Sequence, residues 1–171
     1  MSVKIMKKIS RNNRGFTLVE LVVAIAVLGV VTAVTVPSFN AFLPIYRVKS
    51  AGRDLYSNFQ KIRMAAVKEN QTIVFAFNPR PANNYTIFVD NGDGGGIANN
   101  FTLDGSERLL GNYRMPESID IVSANFSGAQ EAGFNGRGES TGGRTGNIVI
   151  QNKHSRTVTL NLSVTGSAKL L

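Results

Sequence analysis

The sequence predicts an α+β protein: one long N-terminal α-helix packed on an antiparallel β-sheet of two hairpins. Three observations carry that prediction. Residues Phe16–Val36 form an apolar run with a single charge, Glu20. Beyond Pro37, the apolar residues Val48, Ala51, Leu55, Phe59, Ile62 and Ala66 recur at three- and four-residue steps, which is the spacing of one helix face. Near the C-terminus, Val158, Leu160, Leu162 and Val164 alternate with Thr157, Thr159, Asn161 and Ser163. That alternation belongs to a strand with one face toward a core and the other toward water.

The helix comes first. Five cations and no acid precede the apolar run (Lys4, Lys7, Lys8, Arg11 and Arg14). As a helix, 21 residues rise about 31 Å, the thickness of a bilayer hydrocarbon core. Gly29 is tolerated inside a membrane helix. The flanking cations predict that Met1–Gly15 stays cytoplasmic and that the remainder is exported. A cleaved secretory signal fits poorly. The run is too long, no small-x-small pattern closes it, and Ser38-Phe39-Asn40-Ala41-Phe42 continues the amphipathic pattern. A plain membrane anchor is the simplest reading of hydropathy alone. Against it stands Glu20, whose burial in lipid costs roughly 2.5–3.5 kcal/mol and calls for a function.

The helix is expected to run to about Glu69, bent by Pro37 and Pro44. Arg47, Lys49, Arg53, Lys61, Arg63 and Lys68 occupy much of its other face. Solvated surface is the first reading of that face, and contact with anionic lipid headgroups or neighbouring subunits the second. Asn70-Gln71 breaks the helix. Thr72–Phe77 and Tyr85–Asp90 read as a hairpin around Pro79-Arg80-Pro81-Ala82-Asn83-Asn84. Asp90–Asp104 reads as a glycine-rich loop, Glu107–Leu110 and Ile119–Ser123 as short strands, and Gly133–Gly143 as a second glycine-rich loop. Asn147–Gln151 and Thr157–Val164 make a second hairpin around Asn152-Lys153-His154-Ser155. Its apolar face is expected to pack on the helix near Leu55, Phe59 and Ile62.

Composition narrows the function. The net charge of +8 is concentrated at the N-terminus: beyond Gly15, 14 cations face 11 acids. The high isoelectric point is therefore weak support for nucleic-acid binding. There is no cysteine, so an exported domain must be held by its core. His154 is the only histidine, which argues against a zinc site. No Ser-His-Asp set and no phosphate loop can be argued, so the chain is not read as an enzyme. Asp90 and Asp93 raise a calcium loop. However, Asp90-Asn91-Gly92-Asp93-Gly94 lacks the alternating acids and closing glutamate of an EF-hand. A hydrogen-bonded loop without a cofactor is the first reading, calcium the alternative. Arg137, Arg144, Lys153, Arg156 and Lys169 give the C-terminal stretch a positive balance. Solvated surface is the first reading, with DNA or the acidic face of a protein partner as alternatives. Phe134 is its only aromatic, so platforms for stacking bases are lacking.

The boundary residues Arg14-Gly15-Phe16-Thr17-Leu18-Val19-Glu20 resemble the class III signal of type IV pilins and pseudopilins. The resemblance implies that a prepilin peptidase/methyltransferase cuts between Gly15 and Phe16 and methylates the new Phe16 amine. In a helix bundle that amine would pair with Glu20 of a neighbouring subunit. Further segments are similar to the GspH/FimT minor pseudopilins and minor pilins: Phe59–Lys68 at the helix end, Phe88–Gly94 followed by Gly105–Leu110, Phe134-Asn135-Gly136-Arg137-Gly138, and Val164-Thr165-Gly166. This implies a pilin-like fold divided into a leader (1–15), a transmembrane helix (16–36), its periplasmic continuation (37–69) and a β-rich periplasmic domain (70–171). It also implies a single-pass protein of the bacterial inner membrane, in contact with its lipid. The chain would join other pilins or pseudopilins in the pseudopilus of type II secretion or in a type IV pilus. Some members bind DNA through a Gly-Arg-x-Arg motif. Here the matching stretch is Gly166-Ser167-Ala168-Lys169, and both arginines are absent.

Overall fold

The computed structural model describes residues 15–171, with residue 34 and residues 36–41 described by backbone only. The leader cations Lys4, Lys7, Lys8, Arg11 and Arg14 lie outside the described residues. The chain divides into two compact units, Met1–Asn40 and Ala41–Leu171. Helix α1, Leu18–Glu69, begins in the first and ends in the second, with Pro37 and Pro44 both inside it.

The second unit carries eight strands: β1 (Ile73–Asn78), β2 (Asn84–Val89), β3 (Leu109–Arg114), β4 (Ile119–Phe126), β5 (Glu131–Phe134), β6 (Gly146–Asn152), β7 (Thr157–Leu162) and β8 (Ala168–Leu170). They form two four-stranded sheets, ordered β3-β2-β1-β5 and β4-β6-β7-β8, with every named pairing antiparallel. The two expected hairpins are β1–β2 and β6–β7. In the first, Ile73 faces Val89 and Asn78 faces Asn84. In the second, Gly146 faces Leu162 and Gln151 faces Thr157.

Helix periodicity sets the core. Val48, Ala51, Leu55, Phe59, Ile62 and Ala66 are all buried, and they join residues of both sheets in one cluster. Phe59 stacks on Phe75 at 4.1 Å between ring centroids and meets Phe134 edge-on at 6.0 Å. Phe77 continues the stack to Phe126 at 5.9 Å. Strand alternation turns Ile73, Phe75 and Phe77 toward this cluster. The cross-strand partners Val74 and Phe88 are buried outside the cluster. Gly52 permits close approach at the other end of the packed helix, since a Cβ there would lie 2.8 Å from Val158 Cγ1. Tyr85 is buried beside Asn58, whose Nδ2 donates to the phenol oxygen at 2.7 Å. Burial pushes the Tyr85 phenol above its ordinary pKa against the lowering effect of that bond.

Several limits differ from the sequence reading. The strand expected at Glu107–Leu110 starts later and runs to Arg114, because its partner is β2 through Tyr113 opposite Tyr85. The strand expected at Ile119–Ser123 extends to Phe126 along β6. Gly133 and Phe134, read as loop, belong to β5, which fills the free side of β1. Strand β8 was not expected; it completes the β7 edge through Leu160–Leu170 and Leu162–Ala168. Val164, placed in the alternating core series, is 56% exposed. Strand β7 ends at Leu162, and a turn follows in which Gly166 N–H donates to Ser163 O at 3.0 Å.

Phe59→Ala removes the ring shared by Phe75, Phe77 and Phe134 and should destabilise the domain by about 3–5 kcal/mol. Urea unfolding of the two proteins measures this. A loss under about 1 kcal/mol would show that the aromatic stack does not hold the helix to the sheet.

Candidate processing and assembly site

The N-terminal unit is built on the first turn of α1. Thr17 precedes the helix and its Oγ1 accepts the Glu20 N–H at 3.2 Å. The Leu21 N–H donates to Thr17 O at 3.1 Å. Thr17-x-x-Glu20 is thus a capping-box sequence with one of its two bonds formed. Glu20 sits in the first turn, where the positive end of the helix dipole favours an anion. The Thr-x-x-Glu spacing carried this signal in the sequence, where Glu20 stood out only as an isolated charge.

Among the described residues, the side chains of this unit have no apolar cover. Phe16 is 80% exposed, and Leu18, Val19, Leu21, Val22, Val23, Ile25, Val27, Leu28, Val30 and Val31 are exposed with it. Its polar groups turn inward. Thr32 Oγ1 donates to Leu28 O at 2.9 Å and Thr35 Oγ1 to Val31 O at 2.7 Å. Each hydroxyl is thereby satisfied by its own helix, which suits an apolar environment. A Cβ on Gly15 would meet nothing within 4 Å, so packing in this chain does not require glycine there. Among the described residues no helix is long and apolar enough to cross a membrane.

In the second unit, the acidic loop is organised by its own amides. The buried Asp90 carboxylate accepts the Asn99 N–H at 2.5 Å and the Phe101 N–H at 2.8 Å. Glu107 accepts from Gly92 and Asp104 at 2.9 and 3.2 Å. Asp104 accepts from Ile97 N–H and Asn100 Nδ2. Asp93 is exposed and accepts from Asn91 Nδ2 at 2.8 Å. Asp90 and Asp93 thus accept from different amide groups of the loop, and no cluster of three potential ligands occurs among the described residues.

The five basic residues singled out near the C-terminus are not gathered into one patch. Arg137 pairs with Glu139 at 3.0 Å, in a turn beside Arg63 and Val67 of α1. Arg144 is half-buried, 3.3 Å from Glu131 and with its guanidinium 3.6 Å from the Phe101 ring centre. Lys153 and Arg156 flank the β6–β7 turn, which Asn152 ties to the helix by donating to Pro44 O at 2.9 Å. Lys169 lies on β8 opposite Asn161. Pro44 and Arg63 are separated by about 28 Å of helix rise, so Arg137 and the Lys153–Arg156 turn sit at opposite ends of the packed helix. His154 is exposed in that turn and its side chain has no hydrogen bond among the described residues.

Comparison with known proteins gives a consistent picture. The family model described as type II transport protein GspH matches residues 51–166. The model for the prokaryotic N-terminal methylation motif matches residues 10–36. No curated protein matches the chain. Among solved structures it is similar to the minor pseudopilin EpsH from the type 2 secretion system of Vibrio cholerae. That match has a TM-score of 0.54 and 13% identity, over 73% of this chain and 96% of that one. It is equally similar to the type IV minor pilin FimU of Pseudomonas aeruginosa, with a TM-score of 0.55 and 14% identity, over 76% and 92% of the two chains.

Asp90→Ala strips two partly exposed amide donors of their buried acceptor and should cost about 1–2 kcal/mol. Hydrogen exchange at Asn99 and Phe101 should speed up in the variant. Added calcium should leave exchange in the parent unchanged. Protection of the loop by calcium would instead make it a cation site.

Proposed function

The chain belongs to the GspH family of type II transport proteins, and from that premise we propose that it is a minor pseudopilin of a type II secretion system. In this reading it is a structural subunit of the periplasmic pseudopilus or its tip. It is held in the bacterial inner membrane by one helix over 16–36, with its N-terminus cytoplasmic and the Ala41–Leu171 unit periplasmic. The observation that carries the reading is the uncovered apolar surface of the N-terminal unit. Apolar area on that scale must be covered by lipid, by other helices, or by each in turn. The methylation-motif match over residues 10–36 supports the same sequence of events: residence in the membrane, processing, then entry into a helix bundle.

Gly15 and Phe16 are the proposed cleavage site and Phe16 the proposed methylated residue. With no contact to preserve at Gly15, the glycine serves close approach of the peptidase to the backbone. Cleavage frees a cationic amine at Phe16, four residues before Glu20. In a bundle, the Glu20 carboxylate pairs with that amine on the next subunit, offsetting the cost of burial and fixing the axial stagger. The chain's similarity to FimU supports a second reading, a type IV minor pilin that primes pilus assembly.

Gly15→Val should leave the globular unit folded but keep the leader attached, as read by mass spectrometry of the N-terminus. Glu20→Ala should be processed normally yet enter filaments about tenfold less, the effect of roughly 1.4 kcal/mol. Unchanged incorporation would remove Glu20 from assembly.

A deletion strain separates the two machines. Loss of secreted hydrolases with surface filaments intact is expected. Loss of the major pilin from sheared filaments, with hydrolases unchanged, would make the chain a pilus-priming subunit.

A further inference from the structure

One end of the Ala41–Leu171 unit gathers cations that the chain does not neutralise. Arg47, Lys49 and Arg53 come from α1. The β6–β7 turn brings Lys153 and Arg156 to the same end, because Asn152 Nδ2 donates to Pro44 O at 2.9 Å. Arg47 and Lys153, far apart in sequence, line one cavity of about 520 Å³. Arg114 joins Lys153 in a neighbouring cavity of about 470 Å³. All six cations are exposed, and none makes an ion pair among the described residues.

Few acids face this end. Asp54 and Glu117 line the first cavity, and Asp120 is matched by Arg80. Residues 21–53 and 140–171 contain no Asp or Glu. Six open cations against two open carboxylates leave the end positive. They are spread over two cavities and a helix face rather than closed round one site, so they match a surface of many negative charges and not a single ion.

Exposed rings stand beside these charges. Phe42 is 57% and Tyr46 67% exposed, with Leu43 at 44%. At about 100° per residue, Phe42, Tyr46, Lys49 and Arg53 fall within about 60° around α1, roughly 140° from Val48 and Leu55 of the core. The helix thus turns rings and positive charge outward together. That is the composition of a membrane interface, where rings sit at headgroup level and cations meet phosphates. Arg47 follows Val36 by only eleven residues, inside the flank over which Lys and Arg bias orientation. Cations on an exported flank oppose that bias, so their presence calls for an anionic partner.

We propose that this end of the globular unit docks on an anionic phospholipid surface. Phe42 and Tyr46 enter the headgroup layer, while Lys49, Arg53, Lys153 and Arg156 meet its phosphates. The proposal rests on the reading of residues 16–36 as a membrane anchor and deepens it. The anchor holds the chain in the bilayer, and the headgroups hold the globular unit against it until the subunit is withdrawn.

The chain contains no cysteine, so one introduced thiol carries a single fluorophore in the full-length protein, reconstituted into vesicles. His154→Cys places the label in the β6–β7 turn, and Met64→Cys places it toward the far end of the packed helix. A spin label on the lipid headgroups quenches whichever label they touch. In equimolar phosphatidylglycerol and phosphatidylcholine at about 0.15 M salt, the label at 154 should be quenched well beyond the label at 64. The excess should vanish in phosphatidylcholine alone and at about 1 M salt. Lys153→Gln with Arg156→Gln should lower the ratio of docked to free units about thirtyfold. Lys61→Gln with Lys68→Gln, exposed cations toward the far end, should leave it unchanged. Equal quenching in the two lipids would overturn the proposal and leave the surface to a protein partner. Undiminished quenching in the Lys153→Gln, Arg156→Gln protein would overturn it too. Protein left behind when the vesicles are floated would remove the anchor, and the proposal with it, a failure distinct from the other two.

Discussion

The globular unit depends on one packing contact, the stripe of α1 from Val48 to Ala66 laid against both sheets. At its centre the Phe59 ring lies 4.1 Å from that of Phe75 and also meets Phe77 and Phe134. Neither sheet could stand alone, because each has a face that only the helix and its partner sheet cover. The helix in turn gains its orientation from the sheets. Loops and turns are then fixed to it at separate levels: the β6–β7 turn through Asn152 and Pro44, the glycine turns through Arg63, and the acidic loop through Arg108 and Glu69. The surfaces offered to other molecules are by-products of that arrangement.

The N-terminal unit obeys the opposite rule. Its apolar residues point outward, and its threonine hydroxyls bond to their own helix. Such a segment is stable only where something else supplies the apolar surroundings. Glu20 has the reverse requirement. The helix dipole at the first turn favours its charge, and in the proposed bundle a partner cation would offset the rest. One short stretch thus carries both a demand for apolar contact and a demand for one specific charge, which together can select a position and a register.

The α+β architecture was legible in the sequence because its main elements have clean periods. Six apolar residues at helical steps on α1 and the alternation in β7 marked the helix and its packed face, and the turn residues at Pro79–Asn84 and Asn152–Ser155 marked both hairpins. The short strands were not legible. Strand β5 contains Gly133 and spans four residues, and β8 spans three, too few for a period to show. Both exist because a longer neighbour offers free backbone donors and acceptors. Val164 failed for a related reason: alternation continues in sequence after the partner strand has ended. For the candidate site, the Gly15–Glu20 signal was readable because its logic is local. The basic residues from Arg137 to Lys169 could not be placed, since segments close in sequence here lie at opposite ends of the packed helix. Nor does sequence reveal that Asp90 points inward onto amides.

Gly52 adds a constraint of time. This part of the helix rests on Val158 and Leu170, more than a hundred residues downstream, whereas Phe59 meets Phe75 after only sixteen. Contacts near in sequence form early and distant ones late. In a chain whose residues emerge from synthesis in order, the half of the core around Phe59 and Phe75 can form before the C-terminal strands exist. The half around Val48 and Gly52 must wait for β7 and β8 to emerge. Until then the part of the packed helix nearest its start carries an uncovered apolar stripe, so closure of the core is coupled to completion of the chain.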